Sequence, residues 1–89
     1  MNISLNIEIF QEGDQYVSLA PELNISSFGN SVDNAKASLK EAIDLFLEET
    51  SYMGTLNTVL EECGFTKVNN HWEHRKAIAK ENITLNLNA

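Results

Sequence analysis

The feature that most constrains this chain is one long helical repeat. Val32, Ala35, Leu39, Ala42, Ile43, Phe46 and Leu47 recur at steps of three and four residues. That spacing sets one apolar stripe along a helix, so the helix needs something flat to cover. Lys36, Lys40, Glu41, Asp44 and Glu48 fall largely outside the stripe. Ser31 is placed to cap the start through its hydroxyl, and Asp33 suits the positive end of the helix dipole. The pattern predicts a helix from about Val32 to about Glu49.

The flat partner lies on either side of it. Ile3, Leu5, Ile7 and Ile9 alternate with Ser4, Asn6, Glu8 and Phe10, which predicts one strand with a single core face. Glu12-Gly13-Asp14 then predicts a hairpin turn into a second strand, Tyr16 to Ala20, which Pro21 ends. Ile25 to Phe28 is a third strand closed by Gly29. After the helix, Gly54 breaks the pattern, and Thr55 or Gly54 is placed to cap a shorter helix carrying Leu56, Val59, Leu60 and Cys63. Gly64 suits the left-handed position that follows a helix end. Phe65 to Trp72 reads as extended, with Asn69-Asn70 as a turn, and alternating Ile83, Leu85 and Leu87 predict a terminal strand. The expected fold is α+β: a three-stranded antiparallel sheet packed by one long helix, a short second helix, and one or two C-terminal strands. At 89 residues this is one domain over residues 1–89.

Charge narrows the function. The chain holds 13 acids and 6 bases, a net charge of −7. Direct nucleic-acid binding is disfavoured, because neutralising phosphates takes a basic surface. The acids cluster early: residues 1–30 carry Glu8, Glu12, Asp14 and Glu22 with no Lys or Arg. The tail, with Lys67, Arg75, Lys76 and Lys80, is mildly basic. Cys63 is the only cysteine, so no intrachain disulfide forms, which fits a reducing, cytoplasmic setting. No apolar run is long enough to span a bilayer.

Catalytic constellations are hard to find. Glu8, Glu12 and Asp14 invite a metal-dependent nuclease reading, but Glu12 and Asp14 lie at a hairpin tip, and a solvated acidic edge is the preferred explanation. His71-Trp72-Glu73-His74 resembles a metal motif, yet on a strand the two histidines point to opposite faces. Trp72 is then a packing residue or part of a dimer contact. Cys63 reads as a small apolar residue on a helix stripe. The expectation is no catalytic site, no metal and no cofactor.

Two stretches resemble a known family. Glu12-Gly13-Asp14-Gln15-Tyr16-Val17-Ser18-Leu19-Ala20-Pro21-Glu22-Leu23 resembles the hairpin of HicB-type antitoxins. So does Gly29-Asn30-Ser31-Val32-Asp33-Asn34-Ala35, followed by Leu39-Lys40-Glu41-Ala42-Ile43. Together they cover Ile7 to Glu49, in the family's order. The resemblance implies a partial RNase H-like fold and a role in binding and inhibiting a HicA-type mRNA-cleaving toxin. Many members add a DNA-binding domain, but residues 65–89 read as strand, so the similarity is to the short, stand-alone form. Masking a basic toxin surface would fall to the acidic side of this chain. The candidate partner-binding residues are Glu12, Asp14, Tyr16, Glu22, Asp44 and Glu48. The alternative is a homo-oligomeric domain with no toxin partner. Trp72, Ile83, Leu85 and Leu87 are the candidate oligomer interface, with a homodimer or larger assembly expected.

Overall fold

The structure, a computed structural model, describes residues 1–88. Its elements run β1 (Asn2–Ser4), β2 (Glu8–Glu12), β3 (Gln15–Ala20), β4 (Ile25–Gly29), α1 (Val32–Tyr52), α2 (Leu56–Glu62), β5 (Phe65–Val68) and β6 (His71–His74). The class is α+β. Two three-stranded sheets form, ordered β2-β3-β4 and β1-β6-β5. The first is antiparallel throughout. In the second, β1 runs parallel to β6, and β5 and β6 form a hairpin.

The predicted strand from Ile3 to Ile9 is two strands. Between them the backbone N–H of Asn6 donates to a Glu22 carboxylate oxygen at 2.9 Å, not to a neighbouring strand. The Asn6 side-chain amide donates to the other oxygen at 3.4 Å. The chain thereby leaves one sheet and enters the other. Its alternation survives the switch: Ile3, Leu5 and Ile7 all pack against the core.

The β2–β3 turn places Gly13 at a φ of 62°. A two-residue loop with positive φ at its first position is the type II′ arrangement, whose twist matches the strands it joins. Asn69 supplies the same kind of residue in the β5–β6 hairpin, at a φ of 57°, as the Asn69-Asn70 pair predicts.

Helix α1 starts as expected. Ser31 accepts from the Asn34 N–H at 3.0 Å. The helix ends at Tyr52, three residues beyond the predicted limit. Thr50 lies within the added turn, and its buried hydroxyl donates back to the carbonyls of Phe46 and Leu47 at 2.8 and 3.2 Å. A polar side chain satisfied in this way does not stop a helix. Thr55 occupies the start of α2, but its hydroxyl makes no cap bond and donates to Thr50 O at 3.4 Å.

Helix α1 packs on β3 and β4. The approach is close. Ser18 is fully buried and donates to Ala35 O at 2.7 Å. A Cβ on Gly29 would lie 2.5 Å from the Ala35 nitrogen, which no real side chain tolerates. Small residues at Ser18, Ala20, Gly29 and Ala35 thus bring helix and sheet together. Leu39, Ile43, Leu60, Phe65 and Trp72 fill the core beyond them. Each such buried side chain contributes about 2 kcal/mol of apolar burial.

Two expectations change at the C-terminal end. The predicted terminal strand is not formed: residues 75–88 carry no helix or strand and lie exposed. Alternation alone does not make a strand, because its backbone groups need a partner edge. Trp72 is only 3% exposed. It packs inside its own chain and has no surface left for a dimer contact. Among the described residues no helix is long and apolar enough to cross a membrane.

Candidate protein-binding face

Strand register sorts the residues of the β2–β3–β4 sheet into two sets. Ile9, Ser18 and Ser27 form one cross-strand row, and Gln11, Tyr16 and Gly29 another. These rows face α1. The rows between them face the other way: Phe10, Val17 and Phe28, then Glu8, Leu19 and Ser26. No element covers this second face among the described residues.

The open face carries two exposed phenylalanines. Phe10 is 51% exposed and Phe28 is 64% exposed, with the half-buried Val17 between them. Glu8 and Glu12 stand on either side of Phe10 along β2, and Asp14 sits at the adjoining turn. The arrangement is an apolar row with an acidic rim. Exposed aromatics in a line, edged by charge, are the usual anatomy of a protein-binding patch.

The predicted partner-binding residues do not form one surface. Glu12 and Asp14 belong to this face and its tip. Tyr16 is a correction: its parity turns it to the helix side, half-buried and paired with Gly29. Glu22 is engaged with Asn6 at the switch between sheets. Asp44 and Glu48 are exposed on α1, which lies across the opposite face. The residues that sequence reasoning missed are Phe10 and Phe28. Their signal was parity, because each stands on the polar phase of an alternating strand, out of step with Ile9 and Ile25.

A second polar group lies on the β1–β6–β5 sheet. Ser4 Oγ is 3.0 Å from His71 Nε2, and Glu73 Oε1 is 3.8 Å from the same nitrogen. A serine nucleophile needs its histidine oriented by an acid on the other ring nitrogen. Here both partners crowd one nitrogen, so the relay geometry is missing. The group borders a groove of about 860 Å³ that also takes in Glu8, Glu22 and Lys80. His74 points away from His71, as the strand reading requires. Its Nε2 lies 2.9 Å from Cys63 O and its ring meets Phe65 edge-on, fastening β6 to the end of α2. Among the described residues no three His, Cys, Asp or Glu side chains are placed to hold a metal ion.

Comparison with protein-family models, curated proteins and solved structures finds no match. The functional reading therefore rests on the residues themselves.

Proposed function

We propose that this chain is an antitoxin-type binding protein that neutralises a HicA-type mRNA-cleaving toxin by covering its RNA-binding surface. The observation that carries the reading is the exposed Phe10–Val17–Phe28 row with Glu8, Glu12 and Asp14 around it. An RNA-cleaving partner must present a basic surface to its substrate. The acidic rim steers such a partner into register, and the aromatic row supplies the desolvated centre. The same face occupies the stretch in which the sequence resembles HicB-type antitoxins. A three-stranded antiparallel sheet with one long helix is also the arrangement that the resemblance implies. The chain acts by occupancy and performs no turnover.

The test is direct. The small basic protein encoded by a neighbouring reading frame is purified and assayed for mRNA cleavage with and without this chain. Wild-type chain suppresses cleavage. The double variant Phe10→Ser/Phe28→Ser loses at least about tenfold in affinity, since truncating central aromatic anchors removes 2 kcal/mol or more. Absence of such a reading frame, together with no binding to any HicA-type toxin tried, would sink the proposal. Undiminished inhibition by the double variant would move the interface elsewhere.

A further inference from the structure

A different surface accounts for the exposed tail. Strand β4, Ile25–Gly29, is an outer strand of its sheet and carries no charged residue. Exposed strand edges are ordinarily protected by charge, proline or a covering element, because they template pairing. Strand β2, at the other edge, has Glu8 and Glu12. At the Phe28–Gly29 end of β4 lies a groove of about 490 Å³ against α1, lined by Gln15, Phe28, Gly29, Ala37, Ser38 and Glu41. Leu45, one turn beyond Glu41, is 56% exposed.

The tail has the matching properties. Ile83, Leu85 and Leu87 are 73%, 75% and 86% exposed, and they alternate with Thr84 and Asn86. The segment is as long as β4 and equally free of charge. It stands off the body of its own chain: the radius of gyration is 15.9 Å, against about 12 Å for a compact chain of this length. Charge also fits. Helix α1 holds Asp33, Glu41, Asp44, Glu48 and Glu49 against Lys36 and Lys40, whereas the approach to the tail strand holds Arg75, Lys76 and Lys80 against Glu81. The start of the tail lies along its own Leu5–Glu8 side, beside β2 and across the sheet from its own β4.

We infer that residues 83–87 of one copy add as a strand to the β4 edge of a second copy. Ile83, Leu85 and Leu87 face the Ala37–Leu45 flank of α1, and Thr84 and Asn86 face solvent. Strand addition of this kind satisfies the backbone groups of both segments and buries apolar side chains that each leaves exposed. The inference uses the β4 edge and the α1 flank, and shares only Phe28 with the face of the toxin reading; its test substitutes Leu85 and Ala37, which that face does not contain.

Light scattering on the full chain is expected to give a dimer or larger assembly. Leu85→Asp and Ala37→Glu should each yield monomer with an unchanged far-ultraviolet circular dichroism spectrum, both sites being exposed. In a Cys63→Ser background, mixing Ala37→Cys copies with Leu85→Cys copies should give a disulfide-linked pair between chains. A monomeric wild type, an assembly surviving both charge variants, or a cross-link that forms only with both cysteines on one chain would overturn the inference.

Discussion

The two faces of the β2–β3–β4 sheet differ in what covers them: α1 packs on one, and no helix or strand among the described residues packs on the other. Toward α1 the strands present Ser18, Ala20, Ser27 and Gly29 among Ile9, Tyr16 and Ile25; away from it they present Phe10, Val17, Leu19 and Phe28 among Glu8 and Ser26. A protein that sought only stability would bury its largest apolar groups. Here the small residues of the closed side let α1 approach closely, while Phe10 and Phe28 stay exposed on the other side. The closed face is thus set by geometry and the open face is available for recognition. Substitutions on the two faces should therefore separate stability from binding.

The largest stability effect is expected at Gly29. Any Cβ there meets backbone, with the Ala35 nitrogen at 2.5 Å and the Asn34 carbonyl carbon at 2.8 Å. Backbone within a helix cannot step aside as a flexible side chain can. Gly29→Val should cost about 3 kcal/mol, at the upper end of overpacking effects. Urea unfolding measures it, and a loss under about 1 kcal/mol would mean that the helix shifts freely on the sheet. Ser18→Ala comes next. It removes the 2.7 Å bond to Ala35 O but leaves that carbonyl able to take its helical partner. The expected loss is about 1 kcal/mol, the net worth of one hydrogen bond. Ser18→Leu removes the same hydroxyl yet should cost more, because volume and not polarity limits this site.

Much of the helix-bearing half was legible in the sequence, for identifiable reasons. The Val32–Leu47 stripe, the Ser31 cap and the Gly13 turn are local signals, each decided by nearby residues. The break at Asn6 was not legible. It depends on Glu22, sixteen residues away, reaching back to an amide whose local pattern says strand. Nor was the run of α1 on to Tyr52 legible, where Thr50 is buried with its hydroxyl satisfied by helix carbonyls. The terminal segment fails in the other direction, because Ile83–Leu87 has strand alternation but pairs with no edge of its own chain. The acidic site list followed charge alone. Charge could not tell that Glu22 is occupied, or that α1 separates Asp44 and Glu48 from the hairpin tip.

Trp72 sharpens the comparison from the second sheet. Its indole nitrogen is buried without a hydrogen-bond partner. An orphaned donor costs about 1–3 kcal/mol, which offsets part of what the ring gains by burial. Trp72→Phe should therefore destabilise by only about 1 kcal/mol or less, well below the usual cost of shrinking a core aromatic. A loss of 3 kcal/mol would show that the ring's shape, and not its buried area, holds β6 against the core.

The smallest stability effect is expected on the open face, and it is the most informative. Phe28 is 64% exposed, so Phe28→Ser gives up little buried area. Surface changes of this kind fall within about 0.5 kcal/mol. The adjacent strand pairing, Val17 with Phe28, runs through backbone and does not require the ring. Stability and partner affinity should therefore part company: near-identical urea midpoints, but a marked loss of binding. If Phe28→Ser instead lowers stability as much as Ser18→Ala does, the aromatic row is packing that supports the sheet. The two faces would then share one structural role, and the case for a recognition face would have to rest on Glu8, Glu12 and Asp14 alone.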